Sequence, residues 1–113
     1  GMSAPDIRVE SPATIQDWMS RGEAMLVDVR EPQEWAQARI PGALLLPLSS
    51  FDPAAIDLPP GKKLVFHCRS GVRCGAAAEM LAASGLAPKD APIHRLAGGI
   101  IAWAQAGLPI EQG

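Results

Sequence analysis

"KLVFHCRSGVRCGAAAEMLAAS" (residues 63–84) joins two patterns in one stretch. Residues 63–67 are mostly apolar, partly β-branched and aromatic, and too few for a helix, so they read as a buried strand. From Val72 to Ser84 the sequence is helical in pattern and alanine-rich, and Gly85 stops it. A strand passing through a tight turn into a helix is the repeating unit of a parallel α/β sheet. In the turn stand Cys68, Arg69, Ser70 and Gly71, a thiol beside a cation at the carboxyl end of a strand. Open α/β folds bind their ligands there.

The alternation continues in both directions. Residues 7–9 read as a first strand, and Ser11-Pro12 as an N-cap and first helical position for a helix through Trp18 and Met19. Residues 24–29 form a second strand, and Glu31-Pro32 opens a helix carrying Trp35 that Pro41-Gly42 is expected to end. Residues 43–46 are a short strand and residues 93–96 the last one. Gly98-Gly99 opens a final helix with Ile100, Trp103 and Ala104 on one face, stopped by Gly107 and Pro109. The expected architecture is a three-layer α/β/α sandwich around a central, mainly parallel sheet of about five strands. The 113 residues suit a single domain over 2–113, with Gly1 before Met2 reading as an expression-tag remnant.

Composition narrows the function classes. With 48 % hydrophobic and 19 % charged residues a packed core is expected, not a disordered chain. A net charge of −2 without a Lys/Arg run argues against nucleic acid. No apolar stretch is long enough for a membrane span, and no charged-then-apolar leader is seen, so the expected compartment is the cytoplasm. Cys68 and Cys74 are the only two cysteines, too few for a disulfide scaffold, and with two scattered histidines they lack zinc-site spacing; no metal is expected.

The turn has its own chemistry. Successive backbone N–H groups curling into a helix N-terminus make an anion-binding concavity. The same field favours thiolate, which helix ends and cations bring to a pKa of about 3.5–7.5. Arg69 and Arg73 add charge, and Gly71 permits the backbone angles of a tight loop. Cys68 therefore reads as a nucleophile in an anion pocket, in preference to a buried inert thiol.

"CRSGVR" (68–73) resembles the active-site loop of the rhodanese family of sulfurtransferases. "LVDVREPQEWAQARIPGALLLPL" (26–48) is similar to the family's first signature and "LAGGIIAWAQAGLPI" (96–110) to its C-terminal one. The resemblance implies that Cys68 forms a persulfide, that the loop residues Arg69, Ser70, Gly71, Val72 and Arg73 bind the substrate, and that no cofactor is needed. The implied partners are a small anionic sulfur donor such as thiosulfate and a thiol, cyanide or protein-thiol acceptor. A sulfur carrier fed by a protein partner is the alternative. The related cysteine phosphatases use Cys-x5-Arg; here Arg73 gives Cys-x4-Arg and position 74 is a cysteine, so a phosphatase or arsenate reductase is disfavoured. The cationic Arg69 matches thiosulfate-using relatives, whereas mercaptopyruvate users tend to have glycine. Where the family often has Gly-His, this chain has Ala38-Arg39.

Remaining candidates read more plainly. Asp28, with Arg30, is expected to organise loops by hydrogen bonds, and His67 to lie beneath the loop because it faces away from Cys68. His94 is expected to be inert in an edge or final strand, and Trp18, Trp35 and Trp103 to pack. Cys74, Ala77, Ala78 and Leu81 share a helical face, so Cys74 is expected in the core with its side chain diverging from Cys68; a resolving thiol is the sharper alternative.

Overall fold

The computed structural model describes residues 4–113; the proposed tag remnant Gly1 lies outside them. Five strands form one wholly parallel sheet: β1 (Ile7–Glu10), β2 (Ala24–Asp28), β4 (Leu44–Leu45), β5 (Lys63–His67) and β6 (Ile93–Leu96). Their order is β1-β6-β5-β2-β4, so the strand that delivers Cys68 is the central one. Alternation along each strand sends side chains to two cores. Leu64 and Phe66 pack with Val27 under α3 (Arg73–Ser84), while Val65 packs with Leu26 against α1 (Pro12–Ser20) and α4 (Gly99–Gln105). The three layers expected from the sequence are present. Phe66 is fully buried, and its loss in Phe66→Ala would cost about 3–5 kcal/mol.

Several boundaries differ from expectation. The helix α2 (Pro32–Gln37) opens with a reciprocal capping box between Glu31 and Glu34. It stops well before Pro41-Gly42, because Ala38–Arg39 becomes extended as β3. Its partner is β7 (Glu111–Gln112), a C-terminal strand absent from the sequence reading, paired antiparallel with Ala38 opposite Gln112. Trp103 Nε1 donates to the Pro109 carbonyl at 2.8 Å and holds this returning segment. His94 is on an interior strand, not an edge one: it is buried, meets Glu10 Oε1 at 3.2 Å and stands edge-on to Trp18. Ala104, expected on the inner face of α4, is exposed, while Ile100 and Trp103 are buried.

The Gly98-Gly99 corner ties α4 to the turn after β5. Gly98 and Gly99 both have positive φ, +71° and +61°, and a Cβ on Gly99 would stand 2.5 Å from the Cys68 carbonyl oxygen. That closeness lets the first amides of α4 cap the turn: Ile100 N–H donates to the Cys68 carbonyl at 2.9 Å and Ile101 N–H to the Arg69 carbonyl at 3.2 Å. Gly61 has a similar φ of +81° in open space. Gly99→Ala should therefore lose about 3 kcal/mol, from backbone strain plus the clash, and Gly61→Ala only about 1 kcal/mol. Urea midpoints measure both; equal losses would mean the corner does not press on the turn.

Candidate functional site

Cys68 directly follows β5 and begins the turn to α3, and only 1 % of its surface is exposed. Gly71 N–H donates to Cys68 Sγ at 3.2 Å, closing the turn on its own cysteine. Gly71 has φ +104°, a backbone conformation that favours glycine. No side chain caps α3 at Val72. The amides of Arg73 and Cys74, at the start of the helix, lie toward the Cys68 sulfur and favour its charged form.

These contacts bring the Cys68 thiol down to about 5, and the largest single cause is a hydrogen bond from the Cys74 thiol. Burial opposes the shift, and the three loop amides reinforce it. Above pH about 5 the side chain is a thiolate. Cys74 moves oppositely: its thiol is pushed up, first by its bond to Cys68 and then by burial. Cys74, Ala77, Ala78 and Leu81 are all buried as their spacing predicts. The expected divergence of the two cysteines is corrected. Cys74 Sγ donates to the Gly71 carbonyl at 3.3 Å; its one proton can turn instead to the Cys68 sulfur, the stronger acceptor when that sulfur is ionised. Neither cysteine is in a disulfide.

The two arginines of the loop part company. Arg73 is clamped by Glu34 of α2 in a bidentate pair, Nη1–Oε1 2.6 Å and Nη2–Oε2 2.8 Å. The Arg73 guanidinium lowers the Glu34 carboxyl to about 2, so the pair stays ionised at neutral pH. Arg69 is exposed, and makes no ion pair among the described residues. Ser70 and Val72 are also exposed, Val72 by 78 %, and form the rim of the turn. Beside this rim a groove of about 400 Å³ runs between Glu34, Arg69, Ile100, Ile101 and Ile110. A larger cleft of about 820 Å³ lies around the amino ends of β5 and β6, away from the cysteine.

Asp28, fully buried at the end of β2, does what the sequence suggested. It takes Arg30 Nη2 at 2.8 Å and the Arg30 amide at 2.9 Å, and Arg30 passes on to the Ala38 carbonyl at 2.7 Å. His67 lies beneath the turn, with Nδ1 3.3 Å from the Cys68 carbonyl and Nε2 3.5 Å from Asp28. Burial lowers its pKa, which leaves the ring neutral at pH 7. The sequence reading missed Arg95 altogether. Its Nη2 donates to the Gly71 carbonyl at 2.6 Å from β6, and a polar residue on a buried strand was the available signal. Among the described residues no group of three or more His, Cys, Asp or Glu is placed to hold a metal. No described helix is long and apolar enough to cross a membrane.

A thiolate cradled by amides at the end of the central strand of a parallel α/β sheet defines a class of cysteine-loop domains. The chain belongs to the rhodanese-like domain family, which matches residues 11–106. It is 37 % identical over 102 residues to a sulfurtransferase of Allochromatium vinosum, covering 90 % of this chain and 92 % of that protein. An uncharacterised Synechocystis protein, slr1261, is 40 % identical over 99 residues, and the chain spans 53 % of its length. Thiosulfate sulfurtransferase from Pseudomonas aeruginosa superposes with a TM-score of 0.78 at 28 % identity, covering 98 % of this chain and 20 % of that one. Another solved neighbour, a possible tyrosine phosphatase from Rhodopseudomonas palustris, superposes with a TM-score of 0.74 at 28 % identity, covering 93 % of this chain and 85 % of that one.

The titration of Cys68 checks this geometry. Iodoacetamide alkylation of Cys68 should rise with pH through a midpoint near 5 and then level off. Cys74→Ala, which removes the thiol donor, should move that midpoint up; Cys74→Ser, which keeps an O–H donor, should hold it low. Identical midpoints in all three proteins would take Cys74 out of the site.

Proposed function

We propose that this chain is a sulfurtransferase that moves sulfane sulfur from an anionic donor such as thiosulfate to a thiophilic acceptor through a persulfide on Cys68. The family membership and the sulfurtransferase relative support sulfur transfer in general. The observation that carries the finer reading is the Cys68 thiolate, held near a pKa of 5 inside a ring of inward-facing amides. The thiolate attacks the outer sulfur of thiosulfate, the S–S bond of the donor breaks, and sulfite leaves with the electron pair. The terminal sulfur of the resulting persulfide is an anion, which the loop amides stabilise without rearrangement. A thiol, cyanide or protein thiol, as its thiolate or anion, then takes the outer sulfur and returns Cys68 as thiolate. No outside oxidant or reductant is involved.

Arg69 is the loop cation free to attract the donor. Arg73, which the sequence reading also assigned to the donor, supports α2 and α3 through Glu34. The loop itself argues against phosphoryl transfer: Arg73 stands one residue earlier than in the Cys-x5-Arg phosphatase cradle, and position 74 is a cysteine. A carrier fed by a protein partner draws support from the exposed apolar Val72 at the rim. Steady-state turnover of thiosulfate with a thiol, set against transfer from a cysteine desulfurase, separates enzyme from carrier.

Turnover of thiosulfate is expected in the native chain and absent in Cys68→Ser. Arg69→Ala should lower kcat/KM for thiosulfate about 10- to 100-fold, the effect of losing one charged contact, with the amide ring intact. Full activity in Cys68→Ser, or aryl-phosphate hydrolysis that needs Cys68 and outpaces sulfur transfer, would overturn the reading.

A further inference from the structure

Arg95 approaches the cysteine turn from the sheet. It pairs in register with Phe66, two residues before Cys68 on the neighbouring strand. Its Nη2 donates to the Gly71 carbonyl at 2.6 Å, the carbonyl that also accepts the Cys74 thiol. Gly71 is thus pinned on both sides, its amide to the Cys68 sulfur and its carbonyl to Arg95. In a trans peptide N–H and C=O point opposite ways, so anchoring this carbonyl also directs the Val72 amide away from Arg95. The chain makes room for the guanidinium: a Cβ on Gly75, in the first turn of α3, would stand 3.1 Å from Arg95 Nη2 and 3.2 Å from its Cζ. Nε of Arg95 is buried without a hydrogen-bond partner. The side chain leaves this donor unpaired while its terminal nitrogen grips the loop.

We propose that Arg95 is a positioning residue for the Cys68 site, clamping the Gly71 carbonyl from the sheet side so that the loop amides stay turned toward the sulfur. The clamp acts on the thiolate whether or not sulfur transfer is the reaction; its benefit to a bound persulfide rests on that reading. Other groups near Cys68 are fixed differently. Arg73 is offset by Glu34, Asp28 by Arg30, His67 is neutral, Arg69 is exposed, and Cys74 remains a thiol. Arg95 is the cation bonded directly to the loop backbone.

The test is the pH dependence of Cys68 alkylation, located by peptide mapping, in the full chain and in Arg95→Met, Arg95→Lys and Gly75→Ala. No sulfur donor is present, so failure of thiosulfate turnover and failure of this proposal are separate results. Arg95→Met should raise the midpoint by about one pH unit, which cuts the rate at pH 5 about fivefold. Arg95→Lys keeps the charge on a shorter side chain that reaches the Gly71 carbonyl less well, and should give a smaller rise. Gly75→Ala displaces the guanidinium and should raise the midpoint too, although alanine favours a helix over glycine. Thermal melts accompany each variant; should Arg95→Met fail to fold, the other two decide. Unchanged midpoints in the folded variants, whatever their melting temperatures, would overturn the proposal and leave Arg95 a packing residue.

Discussion

The structure around Cys68 depends on how the peptide groups of one short turn are sorted, carbonyls outward and amides inward. Left to itself a turn of this kind would present both to water. Here the Cys68 and Arg69 carbonyls are taken by the first amides of α4, and the Gly71 carbonyl by Arg95 and Cys74. The amides of Gly71, Arg73 and Cys74 are left to the sulfur. One arrangement satisfies the orphan donors of α4 and the electrostatic needs of a thiolate together. It also explains the fold's demands on this region: a central strand to carry Cys68, a neighbouring strand to bring Arg95, and a double-glycine corner to bring α4 close.

Charges elsewhere in the site serve the architecture. Asp28, Arg30 and the Ala38 carbonyl form a buried chain of bonds that ties the end of β2 to the segment after α2. Removing either ion would strand the other in the core, at a cost of about 3–5 kcal/mol. Glu34 and Arg73 join α2 to the start of α3 across the turn, and the low pKa of Glu34 keeps that link in place at neutral pH. The exposed cation at the rim is therefore Arg69, and the negative charge that develops inside the turn is met by backbone dipoles in place of a free guanidinium.

Much of this was legible in the sequence, for a physical reason. Residues 63–84 carry their strand, turn, helix and Gly85 stop as local pattern, and a thiol at a strand's carboxyl end reads as chemistry without knowledge of the rest. What stayed hidden depends on partners far along the chain. Glu34 and Arg73 are separated by 39 positions, and neither declares the other. The extension of Ala38–Arg39 requires Glu111–Gln112, two polar residues with no strand pattern of their own. Helical spacing placed Cys74 on the buried face correctly, but periodicity says nothing of how a first-turn side chain meets the preceding loop. Arg95, as a polar residue on a buried strand, gave a local signal, but nothing in the sequence names the Gly71 carbonyl that it reaches 24 positions away.

Intact mass after brief exposure to thiosulfate tests the central claim most directly, because the role proposed for the thiolate in its amide ring is to hold one extra sulfur. The native chain should gain the mass of about one sulfur atom, removed by a thiol and absent from Cys68→Ser. A native chain that stays at its original mass while Cys68 still alkylates as a thiolate would contradict that claim, as would an adduct that survives in Cys68→Ser.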